Sequence, residues 1–171
     1  LYSSANAVTT GSDGSIYIAG NYSSGVVGYA FINKYNPDGT KYWTSLLSTD
    51  WYINPSAITT GSDGSIYIAG NVYGDLDGET NNGNYDAFVS KYNPNGTKIW
   101  TQLIGGSASE YGNSIAIGED NSIYITGTSY SDIVDGQISN GLGDVFITKL
   151  NSYGIKQWTI LSGSLGNENG K

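Results

Sequence analysis

The sequence predicts an all-β chain of three tandem four-stranded antiparallel units, and three observations carry that reading. First, 25 of the 171 residues are glycine, about twice ordinary usage, while 15 tyrosines lift the aromatic share to 13%. Second, helical periodicity is absent, and short runs of β-branched and aromatic residues lie between clusters of Gly, Asn, Asp and Ser. Third, the chain repeats itself. Residues 7–20 recur at 57–70 with one change, Val8 against Ile58, and more loosely at 114–127. Residues 34–43 recur at 91–100 and, again loosely, at 149–158.

Each unit divides into four strands. The first covers residues 7–10, 57–60 and 114–117. A Gly-Ser-Asp-Gly turn at 11–14 hands over to the second, 15–19, whose Ile16-Tyr17-Ile18 centre suits a pleated surface and returns at 66–68 and 123–125. A segment of variable length follows: from Ser15 to Lys34, Ser65 to Lys91 and Ser122 to Lys149 the spacing is 19, 26 and 27 residues. The third strand is 30–35, 87–92 and 145–150. The turn Asn36-Pro37-Asp38-Gly39 reverses it, Pro fixing φ at its second position and Gly supplying the left-handed residue. The fourth strand is 40–47, 97–104 and 155–161. The units are 1–50, 51–107 and 108–171, the last ending in a run-in to a further first strand.

A tandem four-stranded unit of about 50 residues with one Trp fixed in its last strand (Trp43, Trp100, Trp158) is the pattern of β-propeller blades. Strands two and three are apolar at nearly every position, as expected of sheets covered on both faces. A β-solenoid of similar repeat length fits less well, because its rungs rarely carry two tight hairpins. Residues 63–70 (Asp-Gly-Ser-Ile-Tyr-Ile-Ala-Gly) and 86–92 (Asp-Ala-Phe-Val-Ser-Lys-Tyr) resemble the SBBP repeat, a β-propeller repeat of bacterial secreted and surface proteins. The resemblance extends over all three units. It departs at Tyr29, which stands where Asp86 and Asp144 occur, and at residues 151–154, which replace the Asn-Pro turn. It implies a fold and an extracellular or cell-surface location more than an activity. Propellers close with 4 to 8 blades, so three form an incomplete ring. The missing blades are expected from a longer chain or, alternatively, from a second chain giving six.

Absent residue types exclude many chemistries. The chain has no Cys, His or Met, so disulfides, thiolate nucleophiles, sulfur-based zinc sites and the serine triad are ruled out. All seven basic residues are lysines against 15 acids, a net charge of −8. Six of the lysines occupy two repeated positions. Without Arg or a basic cluster the chain lacks a nucleic-acid footprint, and no apolar run approaches the ~18 residues that cross a membrane as a helix.

Strand direction puts the variable loops and the links between units at one end, and the tight turns at the other. The loop end is where binding is expected, with Trp51, Tyr52, Tyr73, Tyr85 and Tyr130 as candidate ligand contacts. Trp51 has no repeated counterpart; it either stacks on carbohydrate or plugs a crevice between blades. The spacing D-G-x3-N-G-x2-D occurs twice, as Asp77, Asn82, Asp86 and as Asp135, Asn140, Asp144. These are hard oxygen ligands suited to Ca²⁺. The competing reading has Asp86 and Asp144 accepting backbone N–H groups where strand three begins. The expected role is a non-enzymatic structural, adhesive or protein-interaction module. The alternative is a calcium-dependent glycan-binding module, with surface polysaccharide or protein as partner. A polysaccharide-acting enzyme ranks last, because nothing in the sequence brings two acids to one focus.

Overall fold

The computed structural model describes residues 3–24, 27–139 and 143–163. Fourteen strands form three four-stranded antiparallel sheets and one small hairpin, with no helix among the described residues. The first sheet is the meander β1 (Ser3–Thr10), β2 (Ile16–Ser24), β3 (Val27–Tyr35) and β4 (Lys41–Thr49). The second is β5 (Tyr52–Thr60), β6 (Ile66–Tyr73), β7 (Tyr85–Tyr92) and β8 (Lys98–Ile104). The third runs β9 (Glu110–Ile117), β10 (Ile123–Ser129), β13 (Asp144–Leu150) and β14 (Lys156–Ser162). Between β10 and β13 the hairpin β11 (Ile133–Val134) and β12 (Gln137–Ile138) occupies the variable segment.

The strands run further toward the loop end than the apolar pattern predicts. Polar residues there leave no alternation to read, yet their backbone groups continue the ladder. In the first unit β2 and β3 stay paired out to Ser24 and Val27, and Tyr22 stacks on its register partner Tyr29 at 4.7 Å and 10°. Of the variable segment of that unit, residues 25–26 lie outside the described residues.

Each sheet carries two bulges at matching places. One leaves Asn6, Ser56 or Asn113 as the extra residue on the first strand; the other leaves Tyr42, Ile99 or Gln157 extra just before the repeated Trp. Bulges re-aim side chains, and both kinds serve the stacking of the sheets. Asn6 Nδ2 donates to the Pro55 carbonyl at 2.8 Å, and Ser56 Oγ donates to the Gly112 carbonyl, each crossing to the next sheet. Trp43 lies beneath the turn of the second sheet, where a Cβ on Gly96 would come within 3.1 Å of its ring. Trp100 sits the same way beneath Gly154 of the third sheet.

Two apolar clusters result. Tyr17, Ala19, Ile32 and Leu47 of the first sheet pack on Ile53, Ile58, Ile68 and Phe88 of the second. The opposite face of the second sheet, with Tyr67, Ala69, Val89 and Ile104, packs on Ile115, Ile125, Phe146 and Leu150 of the third. Hence β6 and β7 are buried at almost every position while β3 alternates. Continuous burial in strands two and three holds for the middle sheet and gives way to alternation in its neighbours, whose outer faces meet solvent.

The first strands β1, β5 and β9 lie against one another. In each sheet the glycine on the second strand lies hard against the first strand of its own sheet: a Cβ on Gly20, Gly70 or Gly127 would lie 2.0, 2.0 or 1.8 Å from the carbonyl oxygen of Ser4, Asn54 or Tyr111. No side chain fits such a gap. Gly39 differs, with φ +84° and open space around it. Gly70→Ala is expected to cost more than 3 kcal/mol by displacing the ladder, against about 1 kcal/mol for Gly39→Ala, which bears only left-handed strain. Urea unfolding of the two variants checks the order.

Candidate functional site: an aromatic band at the loop end

Five tyrosines and one tryptophan meet at the end of the sheets that carries the links and the long loops. Tyr52, Tyr73 and Tyr85 are register partners across β5, β6 and β7, which lines them up on one side of the second sheet. Tyr73 and Tyr85 are 5.4 Å apart at 64°, and Tyr52 meets Tyr85 edge-on at 6.1 Å. Trp51, in the link before β5, stands edge-on to Tyr73 at 6.0 Å. On the other side Tyr85 contacts Tyr111 of β9 at 5.5 Å, and Tyr111 contacts Tyr130 at 6.2 Å. These offset and edge-to-face pairings are the favourable ones for aromatic rings.

All five aromatic residues read from the sequence thus belong to one band. Tyr111, which sequence reasoning missed, connects Tyr130 to the rest. Its signal was the one that marked Trp51: an aromatic beside a link, with Asn54 and Ser4 at the matching positions of the other sheets. Trp51 keeps 60% of its surface exposed, so it is no plug, and Tyr52, Tyr73 and Tyr130 are exposed as well. Burial, then the neighbouring Tyr111, Tyr52 and Tyr73, raise the Tyr85 hydroxyl above its ordinary pKa, so it remains a donor at neutral pH. Next to Tyr52 a cavity of about 290 Å³ opens between the first and second sheets, lined by Ser4, Asn21, Tyr22, Gly28 and Ile53.

The loops that frame the band are tied down by their acids. Asp77, at φ 55°, bonds Lys98 Nζ and accepts from Thr101 Oγ1 at 2.5 Å; Thr101 in turn pairs with Ser90 at 2.8 Å. Asp135, at φ 52°, does the same with Lys156 and, at 2.6 Å, with Thr159, which pairs with Thr148. Each loop is therefore clamped to the outer strand of its own sheet. Asp86 takes a different partner, its Oδ2 accepting the Asn82 N–H at 3.1 Å as β7 begins. The structure does not gather Asp77, Asn82 and Asp86 around one point, and among the described residues no three acids form a group suited to a metal ion. Asp144 is as fully buried as Asp86, and Asn140 lies outside the described residues.

A pair of acids that the sequence did not group does come together. Asp86 and Glu110 are both wholly buried at the junction of the second and third sheets. Glu110 accepts the Gly106 N–H at 2.6 Å and the Ser129 hydroxyl at 2.7 Å. Asp86 Oδ1 has no hydrogen-bond partner and occupies the space a Cβ on Gly105 would need, 2.2 Å from where that atom would lie. Burial pushes the Asp86 carboxyl up to about 6, against the pull of the Asn82 N–H, and the charges of Glu110 and Asp75 push the same way. Glu110 escaped the sequence reading because its counterpart in the second sheet is Ile53, so no repeat marks it. Sealed from solvent, the pair cannot reach a polymer; it acts on stability.

Between pH 4 and 6 the folded chain keeps a proton on Asp86 that the unfolded chain has released. The stability tied to this proton is present below pH 4 and lost as pH rises through 6. From the ordinary value of 3.8 this amounts to roughly 3 kcal/mol. Asp86→Asn is expected to raise the melting temperature at pH 7.5 and to flatten its fall between pH 4.5 and 7.5. Calorimetry of both proteins across that range measures it.

The sequence matches no protein-family model and no curated protein.

Proposed function

We propose that this chain is a non-enzymatic recognition module of a secreted or cell-surface bacterial protein, its three sheets neighbouring blades of an SBBP-type β-propeller, and that it binds neutral polysaccharide on the aromatic band. The contiguous band carries the reading: six rings in contact, with Trp51, Tyr52, Tyr73 and Tyr130 exposed. A large exposed aromatic patch costs solubility and persists where it binds something. Tyr and Trp offer flat apolar faces for sugar C–H groups and polar tips for hydroxyls. The net charge of −8 disfavours anionic ligands and leaves uncharged glycans.

The blade reading draws support from the repeated four-stranded meanders, from the Trp that each sheet of the first two lays beneath its neighbour's turn, and from the close approach of the first strands. The non-enzymatic reading draws on the acids: Asp77 and Asp135 are held by lysines, and Asp86 and Glu110 are enclosed. The same bonds speak against calcium, since the loop carboxylates already have partners.

Against a panel of neutral polysaccharides, Trp51→Ala and Tyr52→Ala should each weaken binding about tenfold, which corresponds to ~1.4 kcal/mol. Tyr42→Ala, far away on β4, should leave it unchanged. Titration calorimetry decides, and equal affinity in the Trp51/Tyr52 double variant rejects the site. Adding millimolar Ca²⁺ or EDTA is expected to leave both melting and binding unaltered; a calcium-dependent rise in melting temperature would restore the metal-dependent alternative.

A further inference from the structure

The joint between neighbouring sheets is made twice within the chain, each time from the same two halves. The earlier sheet supplies a Trp on its last strand; the later sheet supplies the turn between its third and fourth strands and a row of apolar side chains. Trp43 lies beneath Gly96, and Trp100 beneath Gly154. Lys91 Nζ reaches across to the Ser152 carbonyl of the third sheet's turn at 3.4 Å.

The two outer faces of the chain carry one unmatched copy of each half. On the third sheet Trp158 and Ile147 are each 40% exposed, whereas Val89, the counterpart of Ile147 in the second sheet, is fully covered. On the first sheet Val8 is 66% exposed and Leu46 51%, whereas Ile58, the counterpart of Val8, is 8% exposed and Leu103, that of Leu46, packs on the core. A Cβ on Gly39 would touch nothing within 4 Å, where Gly96 and Gly154 each cover a tryptophan. Charge matches as well. Asp38 stands at the turn position held by Asn95 and Tyr153, and it is the acidic one of the three. Beside it lies Pro37, the counterpart of Ser152, while Lys149 is the counterpart of Lys91.

We propose that a second copy of this chain docks head to tail, its first sheet on the third sheet of its partner, so that Trp158 lies beneath the Gly39 turn and Lys149 faces Asp38. Made in both directions, this contact closes a two-chain particle of six sheets, within the range of rings that sheets of this kind form. The closure rests on the blade reading above; the joint rests only on the packing seen twice in the chain.

Light scattering coupled to size exclusion should find twice the mass of one chain. Val8→Glu and Ile147→Lys, at exposed positions, should each weaken pairing at least tenfold while keeping the far-ultraviolet spectrum and the melting profile. Mixed in equal amounts, the two variants should pair again, one to one, because a head-to-tail contact needs one sound half from each chain. A single-chain particle at tens of micromolar, a pair indifferent to both substitutions, or a mixture of folded variants that stays apart overturns the proposal. A ladder of larger particles overturns the closure while keeping the joint. Glycan binding by the variants is a separate readout, so the loss of one property does not imply the loss of the other.

Discussion

The close approach of the first strands governs the rest of the structure. Within each sheet Gly20, Gly70 and Gly127 let the bulged first strand bring a carbonyl oxygen where no side chain fits, and from that bulge Asn6 and Ser56 reach a carbonyl of the next sheet. With the sheets drawn together at this edge, apolar side chains fill the space behind it, and the repeated Trp closes the far edge beneath a turn. Donor and acceptor meet directly in a part-buried seam, so each bond ties one sheet to the next without an intervening group. The two apolar clusters follow from that geometry and are sized by it.

Charge has been used sparingly and mostly for scaffolding. At the turn end, Lys34, Lys91 and Lys149 lie over Tyr17, Tyr67 and Tyr124 at 5.3, 5.2 and 5.4 Å, with Asp13, Asp63 and Asp120 beside them. The backbone N–H and then the hydroxyl of Ser15 hold Asp13 below the ordinary carboxylate range, and Ser122 does the same for Asp120. At the other end Asp77 and Asp135 clamp long loops to outer strands. The first unit has no such acid in its variable segment, and its second and third strands stay paired out to Ser24 and Val27. The loops beside the aromatic band are thus tied to outer strands by side-chain bonds.

The repeat made most of the fold legible. Identical turns fixed where strands end, and the fixed Trp and Lys positions predicted four strands per unit, which the sheets bear out. What stayed hidden has physical reasons. Strand ends such as Asn21-Tyr22-Ser23 pair through the backbone alone and carry no apolar alternation. Bulges are defined by a partner strand, so Tyr42 or Ile99 does not announce itself. The hairpin of Ile133–Val134 and Gln137–Ile138 is too short for any period to show. At the site, Trp51 was readable because it has no repeated counterpart and the four tyrosines because they fall at the loop end, and Tyr111 could have been found by the same rules. The nearness of Asp86 and Glu110 was not readable, since it joins the third strand of one sheet to the first strand of the next. The shared spacing around Asp77 and Asp86 pointed to one ligand sphere, but the turn at Gly78 sends the two carboxylates to separate partners.

Residues 7–20 and 57–70 differ at one position, and each forms a hairpin of the same register. Local interactions therefore cannot tell a nascent β1–β2 pair from a β5–β6 pair. The discrimination must come from flanking chain: Tyr22 stacking on Tyr29 in one unit, and the clamp of Asp77 on Lys98 in the other. Near-duplicate neighbours of this kind are prone to strand exchange, both along one polypeptide and between polypeptides emerging together. The differences that look like decay of the repeat consequently act as addresses, directing each hairpin to its own place during folding.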